Sequence, residues 1–151
     1  MINWGFIECD RASGTVLLLH QYLPLVRGFD PEGEEIWRTT LEDYHPTEFL
    51  IGRNSPGCCM YRVHDDLGSA HVGLSLTADD MGRVFVGLEE SGPRLFQNAR
   101  HEMRVLDTAT GREVATERPV EGLVAGISSG RMYTCLRREP FPQVHIFAAP
   151  D

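Results

Sequence analysis

The chain has 151 residues, of which 42% are hydrophobic, and carries a formal net charge of −8 from 22 acidic and 14 basic residues. This length and composition suit one globular domain with an apolar core and exclude a disordered or collagen-like chain. The acidic balance, the short basic runs and the complete lack of lysine argue against nucleic-acid and anionic-membrane binding, Schiff-base chemistry and P-loop phosphate binding.

Apolar and polar residues alternate over short segments, which are separated by 15 glycines and 9 prolines. This is the period of β-strands, and no window of about a dozen residues carries the apolar stripe of a helix. In chain order, strands are predicted at 5–9, 15–21, 25–29, 35–41, 48–51, 58–63, 72–77, 83–88, 103–106, 113–117, 123–127, 131–136 and 143–147. The chain is therefore predicted to be all-β.

Some of these strands recur in a fixed order. Three begin directly after a glycine, at Gly14, Gly82 and Gly130, and each is followed by a second recurring strand. The second strands lie within 24–30, 102–107 and 142–147. Such recurrence marks one supersecondary unit used several times. The single domain 1–151 is divided into approximate repeats 1–71, 72–122 and 123–151, with an additional strand at the N-terminus.

Two segments share one hairpin pattern. In each, an apolar strand ends at an aspartate, Asp30 or Asp107, whose side chain can accept hydrogen bonds from nearby backbone amides. A glycine follows, Gly33 or Gly111, where a positive φ reverses the chain. A glutamate and a β-branched residue then open the return strand. The two predicted hairpins are 29–37 and 106–114.

These hairpins and the closing segment 139–147 resemble the blades of bacterial β-propellers. Over most of its length the chain is similar to the C-terminal half of six-bladed propellers of the NHL or quinoprotein-like kind. The resemblance implies about three four-stranded antiparallel blades stacked face to face. A β-sandwich or barrel built from the same hairpins is the alternative. The family includes sugar-acid and lactone hydrolases, dehydrogenases and many non-enzymatic binding modules, and no quinone-binding set matches residue by residue.

Three blades are fewer than the ~4–8 of a closed propeller. A half ring exposes the edges of its terminal blades, and unpaired backbone groups there invite pairing with another chain. We therefore expect self-association, in which two copies form a six-bladed ring or pair edge to edge. The alternative is an open, twisted β-stack from a truncated or cassette-like gene product.

The densest group of metal-capable side chains is His64, Asp65, Asp66 and His71. Imidazole and carboxylate ligands can hold a divalent ion, and water bound to that ion can hydrolyse a substrate. The spacing matches no established ligand pattern, and a solvated polar turn is the alternative. A divalent metal at these residues is the one cofactor hypothesis, and no other cofactor is predicted.

Four further residues are candidates for ligand binding: His20, His145, Arg27 and Arg104. The histidines are predicted to occupy equivalent strand regions of different repeats, where they could converge near a central channel. The arginines occupy the same place in their repeats, before the hairpin aspartate. The alternatives are histidines with ordinary strand partners and structural arginines that pair with a neighbouring blade. Trp4 and Trp37 are interpreted as packing residues between sheets.

Two other patterns are not assigned chemistry. Residues 126–130 match the G-x-S-x-G pattern of a nucleophile elbow, but that motif needs a helix after the serine, where a strand is predicted. Neighbouring carboxylates recur at 34–35, 79–80 and 89–90. Adjacent strand residues point to opposite faces, so these carboxylates are interpreted as solvated turns rather than acid–base pairs.

The four cysteines, Cys9, Cys58, Cys59 and Cys135, have no C-x-x-C spacing and are interpreted as reduced thiols. No signal peptide and no apolar segment of membrane-spanning length is visible, so a cytoplasmic location is expected. The predicted function is a non-catalytic binding or protein-interaction module of propeller type. The alternative is a metal-assisted, lactonase-like propeller hydrolase.

Overall fold

The computed structural model describes residues 4–46, 49–55, 58–63, 70–91, 100–136 and 141–149. Every regular element in these ranges is a β-strand. Within the same ranges there is no helix long and apolar enough to cross a membrane. The all-β prediction is confirmed.

The strands form three antiparallel sheets, each a meander in chain order, and one separate hairpin. Sheet I comprises β1 (Gly5–Cys9), β2 (Val16–His20), β3 (Leu25–Phe29) and β4 (Glu35–Thr40). The hairpin comprises β5 (Phe49–Ser55) and β6 (Cys58–Val63). Sheet II comprises β7 (Ala70–Ala78), β8 (Arg83–Ser91), β9 (Arg100–Asp107) and β10 (Glu113–Val120). Sheet III comprises β11 (Leu123–Ser128), β12 (Arg131–Leu136) and β13 (Gln143–Ala148).

All the predicted strands are present, and the main differences lie at their ends. Sheet II is longer than predicted, with β7 covering Ala70–Ala78 instead of 72–77. The prediction of three four-stranded units is correct for sheets I and II, whereas sheet III has three strands in the described part of the chain.

The two predicted hairpins form as expected, with glycine at positive φ in both turns (91° at Gly33 and 70° at Gly111). The Asp30 carboxylate accepts a hydrogen bond from the amide of Glu34 at 2.8 Å, and Asp107 accepts one from the amide of Thr110 at 2.8 Å. These bonds hold the turns closed, because they satisfy amides that the reversed chain cannot pair within the sheet.

Sheet II is packed on both faces. One apolar cluster joins Leu17, Leu19, Val26 and Trp37 of sheet I to Val84, Val86, Leu88 and Leu106 of sheet II. A second joins Phe85, Met103 and Val105 of sheet II to Val124 and Met132 of sheet III. The first strands of the three sheets, β1, β7 and β11, lie side by side. Each fully buried apolar side chain stabilises this arrangement by about 1.5–3 kcal/mol relative to exposure.

The strand register shows which positions of the three sheets are structurally equivalent. The glycine-started strands β2, β8 and β12 are all second strands, and β3, β9 and β13 are all third strands. Arg27 lies opposite Leu18 in sheet I, Arg104 opposite Val86 in sheet II, and His145 opposite Thr134 in sheet III. Counted from the preceding glycine, Leu18, Val86 and Thr134 occupy the same position in their strands. Arg27, Arg104 and His145 are therefore equivalent positions.

Candidate functional site

Sheets I and II meet at the turn between β9 and β10. The indole nitrogen of Trp37 donates to the carbonyl oxygen of Thr108 at 2.8 Å, and the Thr39 hydroxyl donates to the carbonyl oxygen of Gly111 at 2.6 Å. The Thr108 hydroxyl contacts the buried Asp10 carboxylate at 3.0 Å. Because these directional bonds all join this one turn to sheet I and its β1–β2 turn, they fix the orientation of the two sheets as well as their contact.

Arg104 is the centre of a buried ion network beside this turn. Its guanidinium pairs with Glu102 and lies 3.1 Å from the Glu113 carboxylate. It also donates to the backbone carbonyl of Glu42, just after β4 of sheet I, at 3.0 Å. Burial acts to lower the pKa of Arg104, but the two carboxylates raise it overall, so the residue stays charged. The alternative interpretation of Arg104 as a structural residue therefore fits its contacts.

Arg27 has the equivalent pairing in sheet I. It forms an ion pair with Glu35, the glutamate that opens the return strand just as Glu113 does in sheet II. Arg27 is partly exposed, whereas Arg104 is covered by the segment that follows sheet I. Two residues that the sequence places in identical positions thus have different environments.

A groove of about 960 Å³ runs between the two outermost strands, β4 and β10, with Arg104 at its base. Its walls carry hydroxyl and charged side chains, including Arg38, Asp43 and Arg112. Arg38 is paired with Glu35, but the side chains of Asp43 and Arg112 have no hydrogen-bond or ionic partner among the described residues. Asp43 also has a φ of 53°, a left-handed turn conformation that aspartate adopts more readily than most residues other than glycine.

His71 lies near the same network but is buried. Its Nδ1 atom accepts a hydrogen bond of 2.9 Å from the amide of His45, and its ring packs against those of Tyr44 and His45. Burial lowers the pKa of His71, and the opposing charge of Glu102 does not cancel this effect. The imidazole is therefore neutral at pH 7, and its Nδ1 atom is used as an acceptor.

The other three residues of the metal hypothesis, His64, Asp65 and Asp66, lie outside the described residues. Among the side chains that the structure describes, no group of three or more histidines, cysteines or carboxylates is arranged to hold a metal ion.

His20 and His145 do not occupy equivalent positions, so that prediction is wrong. His20 ends β2, a second strand, whereas His145 lies on β13, a third strand, in a different sheet. His20 is buried, and burial together with the charges of Arg27 and Arg38 lowers its pKa. His145 lies 3.5 Å from Glu121. The error arises because strand order cannot be read from the histidines themselves.

A second cavity, of about 590 Å³, lies where the first strands of the three sheets turn into the second. It is lined by these turns, with Arg11 and Asp80 on its rim and Ser128–Ser129 on one side. The G-x-S-x-G match falls here, and Ser129 is followed by Gly130 and strand β12. The serines therefore lack the strand-to-helix context of a nucleophile elbow, as predicted.

Two tryptophans have opposite environments. Trp37 is buried between sheets I and II, as predicted, whereas Trp4 is 64% exposed and does not pack between sheets. Sequence reasoning also missed the groove residues Asp43 and Arg112. Their only signal is position, since each lies within three residues of the end of an outermost strand or its turn.

Comparison with protein-family models, curated proteins and solved structures returned no match for this chain.

Proposed function

We propose that this chain is a non-catalytic protein-interaction module of β-propeller type, and that it binds an extended peptide of mixed charge in the groove between sheets I and II. The stacked antiparallel sheets and adjacent first strands support the propeller-type architecture. The groove itself supports the peptide-binding activity.

The observation that carries the proposal is that both walls of this groove are edge strands. β4 and β10 are outermost in their sheets, so each has a row of backbone groups not used by its neighbour within the sheet. An extended peptide can pair with such an edge and place alternate side chains into the flanking walls. The groove volume of about 960 Å³ is large enough for a short extended peptide segment.

The charges on the walls indicate the kind of peptide. Arg112 and Asp43 are exposed, lie on opposite walls and have no side-chain partner in the part of the chain that the structure describes. Arg104 pairs with both Glu102 and Glu113, so its guanidinium is already occupied at the base of the groove. In a peptide with one acidic and one basic side chain, the acidic side chain can pair with Arg112 and the basic one with Asp43.

The hydrolase alternative has less support. It requires several titratable groups to converge on a substrate. Of the described candidates, His71 is buried with the His45 amide as its partner, and His145 lies beside Glu121 in sheet III. The buried His20, whose Nε2 atom has no hydrogen-bond partner among the described residues, ends β2 in sheet I. Its remaining residues, His64, Asp65 and Asp66, lie outside the described chain.

The proposal can be tested by selecting random 12-residue peptides on phage against the wild-type protein. Selected peptides are then measured by isothermal titration against a groove variant, Asp43→Asn with Arg112→Glu. Asparagine is chosen because it tolerates the positive φ at this position. The matched control is Asp80→Asn with Arg11→Glu, which changes the same residue types at the second cavity.

We expect the groove variant to bind the selected peptides at least tenfold more weakly, while the control binds as the wild type does. Each lost charge-assisted contact accounts for a change of about this size. A selection without enriched peptides, or peptides that bind the groove variant unchanged, would contradict the proposal.

A further inference from the structure

The stack of sheets ends in two faces with exposed apolar side chains, which no described element covers. On the outer face of sheet I, Ile7 is 74% exposed and Ile36 is 49% exposed. On the outer face of sheet III, Val144 is 65% exposed and Ile146 is 58% exposed. Val144 and Ile146 are neighbours on one strand, whereas Ile7 and Ile36 lie on the two edge strands of sheet I, with β2 and β3 between them. Contiguous exposed apolar patches mark interaction surfaces more often than isolated residues do.

The register shows what kind of surface the outer face of sheet III is. Tyr133 lies opposite Ile146 and Cys135 opposite Val144, so these four side chains share one face. At the equivalent positions of sheet II, Phe85 lies opposite Val105 and Gly87 opposite Met103. In sheet II, this face is buried against sheet III. In sheet I, the equivalent Leu17, Leu19 and Val26 are buried against sheet II.

The outer face of sheet I is the complementary surface. It contains Val16, Leu18, Arg27 and Phe29, and Ile7 lies opposite Leu18 on the same face. The equivalent residues of sheet II are Val84, Val86, Arg104 and Leu106, which are buried against sheet I. The chain therefore contains this face-to-face junction twice, between sheets I and II and between sheets II and III. The outer face of sheet III and the outer face of sheet I are the two halves of a third such junction.

We infer that the occupant of each free face is a second copy of this chain, bound head to tail. The outer face of sheet III in one copy packs on the outer face of sheet I in the other. Each copy carries both outer faces. Two copies related by a twofold axis therefore form two such junctions and bury all four outer faces. In this junction the Arg27–Glu35 pair takes the place that Arg104 and Glu113 have between sheets I and II.

Two substitutions distinguish this head-to-tail dimer from other modes of self-association. Ile7→Glu places a charge on the sheet I face, and Ile146→Glu places one on the sheet III face. Both residues are exposed, so neither change is expected to alter folding, and circular dichroism with the unfolding midpoint verifies this. Met81→Glu, at an exposed turn residue of sheet II away from both faces, is the control.

Sedimentation equilibrium measures the mass of each protein and of an equimolar mixture of the two face variants. We expect wild type and control at twice 16.9 kDa, each face variant alone at 16.9 kDa, and a dimer in the mixture. The mixture dimerises because the intact sheet III face of Ile7→Glu meets the intact sheet I face of Ile146→Glu. A monomeric wild type, a face variant that dimerises alone, or a mixture that stays monomeric would overturn the inference.

Discussion

The indole nitrogen of Trp37 donates a 2.8 Å hydrogen bond to the carbonyl oxygen of Thr108, a residue 71 positions later in the chain. Trp37 lies on the outermost strand of sheet I, and Thr108 begins the turn between β9 and β10 of sheet II. The same turn bonds Asp10 and Thr39 of sheet I. One short turn thus fixes how the two sheets meet and where the groove opens.

Replacing Trp37 by Phe tests this contact. The variant loses the indole hydrogen bond, leaves the Thr108 carbonyl without that donor and removes buried ring volume. The expected loss is about 2–3 kcal/mol in the free energy of unfolding. Urea titration monitored by circular dichroism measures it. Trp4→Phe is the control, because Trp4 is 64% exposed, and its effect is expected to stay within about 0.5 kcal/mol. Equal effects of the two substitutions would contradict the interface described.

Gly111 and Gly33 form a matched pair for the approach of the turn to sheet I. Both have positive φ, so alanine is strained at either position. A Cβ at Gly111 would meet the Trp37 ring and lie 2.7 Å from the Thr39 hydroxyl, whereas a Cβ at Gly33 would meet nothing within 4 Å. We expect Gly111→Ala to destabilise the protein by about 1–3 kcal/mol more than Gly33→Ala in thermal or urea unfolding. A difference near zero would mean that the turn does not press against Trp37.

Substitution of Arg104 and of Arg27 compares the contribution to stability of a buried and a partly exposed arginine at equivalent positions. Arg104→Met leaves Glu102 and Glu113 without their cation in a buried site, and an expected cost of about 3–5 kcal/mol follows. Arg27→Met removes a partly exposed pair, for which a cost of up to about 1 kcal/mol is expected when the chain is monomeric. Urea unfolding of both variants, made in the Ile146→Glu background to keep the chain monomeric, gives the comparison. Similar costs would show that Arg104 is not enclosed by sheet I.

Asp10 contributes a pH dependence to stability. Burial acts to raise the pKa of its carboxyl, but hydrogen bonds from Ser13, the amide of Ala12 and Thr108 outweigh burial and hold the pKa below its usual value. The carboxylate therefore stabilises the folded state above the unfolded pKa of 3.8, and this contribution is lost as the pH falls towards the folded pKa.

Thr108→Val removes one of these hydrogen bonds, so it is expected to raise the pKa of Asp10. Carbon-13 NMR titration of the Asp10 carboxyl measures the shift directly. In urea unfolding, Asp10→Asn is expected to flatten the decline of stability below pH 5. An Asp10 carboxyl that titrates at the same pH in wild type and Thr108→Val would refute the contact between the two sheets at this point.

The strands and hairpins could be predicted because their signals are local. Asp30 with Gly33 and Asp107 with Gly111 specify turns within a few residues, and the glycine before each second strand marks where it begins. Even the equivalence of Arg27 and Arg104 follows from spacing alone. The same local patterns do not specify how many strands a sheet receives, which is why sheet III was predicted with four.

The candidate site could not be predicted because it depends on how the sheets pack on one another, which local sequence patterns do not specify. Arg104 is buried and Arg27 is partly exposed only because sheet I lies over sheet II and nothing described lies over sheet I. His20 and His145 were predicted as equivalent because both are strand histidines, but register places His145 with the two arginines instead. Asp43 and Arg112 line the same groove although 69 residues of sequence separate them, and no periodicity relates them.

The groove between β4 and β10 is the proposed ligand-binding site. The most direct measurement is a nitrogen-15 NMR titration of the wild-type protein with a peptide selected against it. We expect the largest amide shifts on the β4 wall, from Thr39 to Asp43, and on the β10 wall, from Arg112 to Thr116. Shifts confined to the turns around Arg11 and Asp80, or to the outer faces of sheets I and III, would contradict it.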